Sequence, residues 1–226
     1  MVRAVLFDVD FTLALPGPEL GAEGYRKLGE RHGLALDPAR YEAARQAAIA
    51  SLQHHPELEH DDQVWIAFTE RIVRGMGGDA TGARECATEI IAVWEQHDKF
   101  TLYEDAPPVL AELRKHGLKL GLISNGSRDL DEFVRHHALD VDCAVGSRAF
   151  GRTKPHPDIF RRALTLLEVE PEETAMVGDS YEDDIEGARA LGIHAFLLDR
   201  DGRPPGEPGR LETLLALPDA LGLEAK

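Results

Sequence analysis

Three apolar runs in the sequence each end in polar side chains that can bind a cation or an anion. In the stretch from Arg3 to Leu13, apolar residues lead into Asp8 and Asp10, two carboxylates, and then into the hydroxyl of Thr12. Short apolar runs that end in this way are typical of buried strands in a parallel sheet. Because a buried carboxylate is costly to desolvate, the two aspartates require a metal, a base or another cation nearby.

The other two apolar runs, residues 118–123 and 174–178, end in the same manner. The polar residues that follow them, together with a lysine that lies between them in the chain, are Ser124, Asn125, Lys154, Asp179, Asp183 and Asp184. In an open parallel sheet, ligands bind outside the carboxyl ends of the strands. Carboxylates, a hydroxyl and a lysine gathered there can bind a divalent cation and a phosphate together.

The order and strand context of these residues resemble the haloacid dehalogenase-like (HAD) hydrolase superfamily, and in particular its phosphatase branch with a helical cap. The positions that match the four family motifs are Asp8, Asp10 and Thr12 in the first, Ser124 in the second, Lys154 in the third, and Gly178, Asp179 and Asp184 in the fourth. Each motif is short, and it is their joint order that makes the match specific. The resemblance covers nearly the whole chain.

The pattern of elements predicts an α/β fold. Strand and helix alternate after residue 100, which indicates a doubly wound parallel (Rossmann-like) sheet core with right-handed crossovers. Residues 16–100 lack strand-like alternation and predict an inserted all-helical cap domain, whereas residues 1–15 and 101–226 would form the catalytic core. A helix is expected after the last acidic motif, from about Glu182 to Leu191.

The resemblance implies a role for each site residue. Asp8 would be the nucleophile, and Asp10 would act first as general acid and then as general base. Lys154 would bind the phosphoryl group and keep Asp8 ionised. The residues expected to support or bind the phosphate are Thr12, Ser124, Asn125 and Lys154. The cofactor would be Mg²⁺, held by Asp8, Asp10, Asp179 and Asp184; Asp184 aligns better with the motif than Asp183, which remains an alternative.

The leading functional hypothesis is a Mg²⁺-dependent phosphatase that hydrolyses a small phosphomonoester through an aspartyl-phosphate. The alternatives are a phosphomutase or a haloacid dehalogenase of the same superfamily, or a catalytically idle protein that binds phosphometabolites. Dehalogenating relatives generally lack an acid at the position of Asp10, so its presence favours phosphate chemistry. Many relatives carry glycine where this chain has Phe11, and we expect the ring to narrow the leaving-group pocket.

Charge restricts the partners of this chain. Its 41 acidic and 25 basic side chains give a net charge of −16, which repels nucleic acids and anionic membranes. The expected partner is a small phosphorylated metabolite, captured by the metal, Lys154 and arginines such as Arg128, Arg148 and Arg152. No apolar run is long enough to span a membrane and the first strand begins at once, which favours a cytoplasmic protein, either monomer or homodimer.

Two smaller groups of residues and one further histidine have ordinary explanations. Cys86 and Cys143 are too few for a disulfide framework and are expected to be reduced. His54, His55 and His60 lack the spacing of a zinc site, and a solvated loop is the expected context. His156 precedes a proline and is expected to begin a helix rather than to act as a base.

Overall fold

The computed structural model describes residues 1–52, 57–200 and 209–223. The chain divides into two compact units. The first contains Met1–Leu15, Leu102–Asn125 and Asp129–Lys226, and the second contains Pro16–Thr101 and Gly126–Arg128. These bounds lie close to the domain limits expected from the sequence. The roles of catalytic core for the first unit and of cap for the second stay predictions.

The first unit is built on a five-stranded parallel sheet with the order β5-β4-β1-β6-β7. The strands of the described residues are β1 (Ala4–Phe7), β2 (Ala14–Pro16), β3 (Phe100–Leu102), β4 (Lys119–Ser124), β5 (Cys143–Gly146), β6 (Thr174–Gly178) and β7 (His194–Leu197). β2 and β3 pair separately. All four residues of the central strand β1 are fully buried, as an apolar run between two neighbouring strands predicts.

The register of the sheet brings three strand ends to one edge. Phe7 of β1 is aligned with Leu122 of β4 and with Val177 of β6. The polar residues that follow each strand therefore leave the sheet at the same level. The expected parallel α/β fold is confirmed, and the edge predicted for ligand binding is the one where the candidate site residues lie.

The second unit is helical apart from its short β-strand segments. Its helices in the described residues are α1 (Ala22–Arg31), α2 (Tyr41–Ala50), α3 (Asp62–Gly75) and α4 (Ala83–Trp94). Their apolar faces share one core that includes Tyr25, Ile72, Val73 and Ile90. Gly75 of α3 lets the backbone approach α2, because a Cβ there would lie 2.6 Å from the Cβ of Ala44.

The segment Gly126–Arg128 belongs to the second unit although it follows β4 in the chain. The Ser127 hydroxyl donates to Asp62 Oδ1 at 2.5 Å. The Arg128 guanidinium lies 3.6 Å above the Phe100 ring, and its Nε donates to the carbonyl oxygen of Trp94. With 8% of its surface exposed, Arg128 is buried inside this unit rather than displayed as a surface cation, which differs from the sequence expectation.

Helices alternate with the strands of the first unit. Those in the described residues are α5 (Ala106–Lys115), α6 (Leu130–His136), α7 (Ser147–Phe150), α8 (Pro157–Leu167), α9 (Gly187–Arg189) and α10 (Leu217–Ala220). The amphipathic helix α8 packs Ile159, Phe160 and Leu167 into a core shared with β1 and β6. His156 caps α8, since its Nδ1 accepts from the Asp158 amide, so its expected role at a helix start is confirmed.

One helix departs from the sequence expectation. Where a regular helix was expected from Glu182 to Leu191, the chain forms a single π-helical turn, Tyr181–Glu186, followed by the short α9. Such wide turns are often found at functional sites. No helix within the described ranges combines the length and apolar character needed to cross a membrane.

Both cysteines are free thiols. Burial raises the pKa of Cys86 and that of Cys143 to about 11, so each is a neutral thiol near pH 7. His54 and His55 lie outside the described residues. His60 forms a contact of 2.9 Å between its Nε2 and Asp62 Oδ1.

Candidate active site

The site is assembled where β1, β4 and β6 end. Asp8 follows β1, and its amide donates to the Val177 carbonyl at 2.9 Å, so the sheet hydrogen bonding fixes its backbone. Ser124 is the last residue of β4 and is buried, while Asp179 follows β6 and is half-buried. Asp8 itself is only 7% exposed. The sheet thus places a carboxylate, a hydroxyl and a second carboxylate at one edge.

Lys154 is the cation of the site. Its Nζ donates to Asp8 Oδ1 and to Asp184 Oδ1, each at 2.6 Å, and to the Ile123 carbonyl at 3.2 Å. An ammonium group has three N–H donors, so each has an acceptor. The side chain is 2% exposed. Two predicted site acids and the predicted lysine are therefore in direct contact.

Asn125 fixes the backbone of Lys154. The Lys154 amide donates to Asn125 Oδ1 at 2.7 Å, and Asn125 Nδ2 donates to the Lys154 carbonyl at 3.0 Å. The same Nδ2 lies 3.3 Å from Asp183 Oδ2. Asn125 was expected to bind phosphate; in this structure its side-chain amide holds the lysine in position, and phosphate binding by Asn125 stays a prediction.

The π-helical turn directs Asp184 towards Lys154. Its other oxygen, Oδ2, accepts from the Ser180 amide at 3.1 Å, and the residue is 1% exposed. A Cβ on Gly178 would lie 2.1 Å from that oxygen, so the glycine of the fourth motif makes room for the carboxylate. Asp183, by contrast, is half-buried and contacts Asn125.

The site contains more negative than positive charge. Asp8, Asp179 and Asp184 each offer an oxygen atom, and these atoms lie within 4.8 Å of one another. Burial raises the pKa of Asp184 to about 7, with Lys154 opposing and Asp8 adding to the rise. Burial also raises the pKa of Asp8, although Lys154 opposes the rise. The pKa of Asp179 is raised well above its ordinary value, because burial and the nearby carboxylates of Asp8 and Asp184 act in the same direction.

The lysine responds to the same surroundings. Burial alone would lower the pKa of Lys154, but Asp184 and Asp8 outweigh it and hold the pKa above its ordinary value. The charged Lys154 therefore faces three carboxylates. One ammonium group cannot neutralise three carboxylates, so the site has an excess of negative charge. The candidate metal-ligand atoms of Asp8, Asp179 and Asp184 are all carboxylate oxygens, the ligands that Mg²⁺ prefers. The residues present fit this ion.

A profile of haloacid dehalogenase-like hydrolases matches residues 2–192, most of the chain. The protein belongs to the haloacid dehalogenase-like hydrolase family. It is 39% identical over 230 residues to a phosphoserine phosphatase of Thermus thermophilus, which covers 90% of this chain and 91% of that protein. It is 32% identical over 221 residues to a glyceraldehyde 3-phosphate phosphatase of Methanopyrus kandleri, with 92% and 88% covered.

The fold of this HAD hydrolase has a close counterpart among solved structures. The HAD-hydrolase YfnB of Bacillus subtilis, solved bound to magnesium, has a TM-score of 0.77 and 21% identity, covering 98% of this chain and 99% of that one. This likeness confirms the fold, and the family expected from the four motifs is confirmed by the profile match and the sequence relatives.

The turn after β1 of this HAD hydrolase is tightly constrained. The amides of Leu13 and Ala14 both donate to the Val9 carbonyl, at 2.9 and 3.0 Å, and the Phe11 amide donates to the Ala14 carbonyl at 2.7 Å. Phe11 has a φ of 62°. A side chain in this left-handed region costs about 1–2 kcal/mol relative to glycine. The structure thus gives a backbone reason why glycine suits this position; the expected effect of the ring on the pocket stays a prediction.

Thr12 lies within the same turn and is fully buried. Its Oγ1 forms no hydrogen bond among the described residues, while its carbonyl accepts from Arg200 at 2.9 Å. Its expected part in phosphate binding stays a prediction.

Sequence reasoning missed Arg200 and its partner Asp105. Asp105 lies just before α5, where it looks like an ordinary helix start, and Arg200 lies 95 residues later. Neither belongs to a motif, and no local pattern connects them. The one available hint was that an arginine follows closely on a strand, β7, which neighbours β6 of the site.

Proposed function

We propose that this HAD hydrolase is a phosphatase that removes phosphate from a small phosphomonoester through a phosphorylated Asp8, with Mg²⁺ as its cofactor. The observation that carries the proposal is the placement of Lys154 Nζ 2.6 Å from both Asp8 Oδ1 and Asp184 Oδ1. The phosphoserine and glyceraldehyde 3-phosphate phosphatases among its relatives support a small phosphorylated metabolite as substrate.

In the first half of the proposed reaction, a carboxylate oxygen of Asp8 attacks the phosphorus atom. The bond between phosphorus and the ester oxygen breaks, and its electron pair leaves with that oxygen. Asp10, in the constrained turn, donates a proton to the departing oxygen. Lys154 orients Asp8 by holding Oδ1 and lessens its repulsion from the phosphate dianion.

In the second half, water attacks the phosphorus atom of phosphorylated Asp8. The carboxylate of Asp10 accepts a proton from that water, so the acid of the first half becomes the base of the second. The phosphorus–oxygen bond to Asp8 breaks, its electrons return to the carboxylate, and inorganic phosphate leaves. Ser124, at the end of β4, is proposed to donate its hydroxyl to a phosphoryl oxygen throughout.

The acidic cluster would hold the metal. We propose Asp8, Asp179 and the backbone carbonyl of Asp10 as direct ligands, with Asp184 acting through water and Asp183 as the alternative. When bound, Mg²⁺ neutralises charge on the phosphoryl oxygens. The excess of carboxylates over cations in the described site supports this assignment.

The test is the release of inorganic phosphate from a panel of small phosphomonoesters, with Mg²⁺ or with EDTA. Wild type should turn over at least one ester only with Mg²⁺, and Asp8→Asn should lose at least about 10³-fold in kcat. Acid-quenched wild type should yield a phosphorylated peptide that contains Asp8.

Asp142→Asn is the matched control. Asp142 precedes β5 at the opposite edge of the sheet and accepts from Arg114 and from the Leu120 amide, each at 2.7 Å. This variant should keep its turnover. Equal activity of wild type and Asp8→Asn would refute the proposed nucleophile. If both were inactive on every ester yet still bound phosphate compounds, the protein would be a binding protein.

A further inference from the structure

A second, half-buried ionic group lies in the same unit, beside the turn that carries Asp10. Arg200 follows β7 and binds Asp105 in a bidentate manner, with NH1 to Oδ2 at 2.9 Å and NH2 to Oδ1 at 2.8 Å. Their side chains are 19% and 10% exposed. The same NH2 donates to the Thr12 carbonyl at 2.9 Å.

The Arg200 side chain is held from several directions. Asp105 Oδ2 also accepts from the Thr213 hydroxyl at 2.7 Å and from the Leu214 amide at 3.0 Å. The guanidinium lies 3.7 Å above the Tyr103 ring. A planar guanidinium that is stacked and paired in this way has little freedom left, so it can fix whatever else it binds.

What Arg200 fixes is the turn after β1. It binds the Thr12 carbonyl, and the Tyr103 amide donates to the next carbonyl, that of Leu13, at 2.9 Å. The turn contains Phe11 in the left-handed region, a conformation that persists only when the surroundings hold it. Two consecutive carbonyl groups, two and three residues beyond Asp10, are thus anchored, the first by the Arg200 side chain and the second by the Tyr103 backbone.

We propose that Arg200 is a positioning residue that acts through Asp10: by binding the Thr12 carbonyl, it holds the turn so that the Asp10 carboxyl reaches the ester oxygen. This inference rests on the proposed function. A displacement of about 1 Å in a proton donor can lower a rate by about 10²-fold. Releasing the Thr12 carbonyl should therefore impair proton donation by Asp10 while leaving Asp8 and Lys154 in place.

The test uses two kinds of phosphate ester. An alkyl ester needs a proton on its leaving oxygen, whereas the phenolate of p-nitrophenyl phosphate leaves without one. Arg200→Ala should lower kcat/KM for an alkyl ester about 10- to 100-fold, and that for p-nitrophenyl phosphate less than about threefold. Asp10→Asn should show the same selectivity, more strongly. Added guanidinium ion should restore part of the alkyl-ester activity of Arg200→Ala.

Arg210→Ala is the matched control. Arg210 is also half-buried, and its NH2 forms an ion pair of 2.8 Å with Asp199 Oδ2 just after β7. Loss of this pair loosens the same part of the chain without removing the donor to Thr12. Arg210→Ala should therefore lower kcat/KM for the two esters equally, if at all. Arg200→Lys, which keeps the charge but not the planar fork, serves if Arg200→Ala fails to fold, and it should show the selective loss in weaker form.

The outcomes separate the two proposals. A wild type that hydrolyses no phosphomonoester would refute the proposed function. If wild type is active and Asp10→Asn is selective, but the Arg200 variants lose activity equally on both esters or on neither, the role assigned to Arg200 is wrong. It is equally wrong if Arg210→Ala reproduces the selective loss.

Discussion

Two ionic groups in the first unit differ in their balance of charge. The acidic cluster, made of Asp8, Asp179, Asp184 and Lys154, has three carboxylates for one ammonium group. The arginine pair, made of Asp105 and Arg200, has one of each. Burial raises the pKa of Asp184 to about 7, whereas hydrogen bonds from Arg200 and Thr213 overcome burial and lower the pKa of Asp105.

This difference separates a pair whose charges balance within the fold from a cluster whose charges do not. In the arginine pair, every charge has a partner and the carboxylate is stabilised as an anion. In the acidic cluster, the sheet forces like charges together, and folding alone cannot neutralise them. Strongly shifted pKa values of this kind are typical of functional sites. The predictions below test whether the imbalance is real and how far it extends.

The largest effect is expected for Lys154→Met. Among the described residues, Lys154 is the cation in contact with the buried carboxylates of Asp8 and Asp184, and breaking a buried ion pair costs about 3–5 kcal/mol. The free energy of unfolding, measured with urea in EDTA, should fall by that amount at pH 7. Lys119→Met is the control, because its Nζ donates to the Leu167 carbonyl at 2.6 Å and its contact with a carboxylate, 3.7 Å to Glu168 Oε2, lies at the surface, where Glu168 is 85% exposed. Equal losses in the two variants would mean that the acidic cluster is not held by its lysine.

A smaller change in the free energy of unfolding is expected when the pH is varied without Mg²⁺. The carboxyls of Asp8, Asp179 and Asp184 have raised pKa values, so the folded protein binds more protons than the unfolded chain between about pH 4 and pH 7. In EDTA this contribution stabilises the fold at low pH and is lost as the pH rises through that window.

Mg²⁺ should reverse that loss. Because the ion competes with protons for the same oxygen atoms, its stabilising effect should grow with pH. The increase in Tm on adding Mg²⁺ should be larger at pH 7.5 than at pH 5, and Asp184→Asn should reduce the difference. The same increase at both pH values would show that Mg²⁺ does not bind at the acidic cluster.

The arginine pair should respond to pH in the opposite sense. The lowered pKa of Asp105 means that its contribution is present above the pKa of about 4 in the unfolded chain and is lost as the pH falls further. Asp105→Asn should therefore destabilise the protein by about 2 kcal/mol at pH 7 and by less at pH 3. Asp140→Asn, which breaks an ion pair with Arg114 in which Asp140 is 81% exposed, should cost less than about 1 kcal/mol. If the loss of stability in Asp105→Asn did not depend on pH, the arginine pair would not differ from the acidic cluster in the way proposed.

The parts of the fold and site that the sequence predicted depend on local patterns. Apolar runs that end in Asp8, Ser124 and Asp179 predicted three strand ends at one edge, because strand burial and the parallel arrangement follow from the runs themselves. Lys154, which no run contains, was identified as a lysine between the second and third runs, and the resemblance to the family gave it a role. The helical character of the second unit was likewise readable from apolar spacing.

The parts that escaped prediction depend on distant contacts. Arg200 meets Thr12 across 188 residues, and an isolated arginine after a strand carries no sign of such a partner. The wide turn at Tyr181–Glu186 and the place of Gly126–Arg128 in the second unit are also set by packing and side-chain contacts. Asn125 was assigned to the phosphate because it follows Ser124, whereas its contacts with Lys154 come from folding.

The smallest effect is expected for Asp179→Asn, which should raise the free energy of unfolding, whereas Asp105→Asn should lower it. Asp179→Asn removes one of three like charges but keeps the shape of the side chain, so the metal-free protein should become more stable by about 1 kcal/mol at pH 7.5 and unchanged near pH 4. The same variant should bind Mg²⁺ more weakly, as a larger Mg²⁺ concentration needed to raise Tm would show. A variant that is less stable in EDTA would mean that Asp179 is paired in the fold as Asp105 is, and the acidic cluster would then carry no unneutralised charge at this position. Stability gained together with metal affinity lost is the behaviour expected of a carboxylate kept for its ligand rather than for the fold.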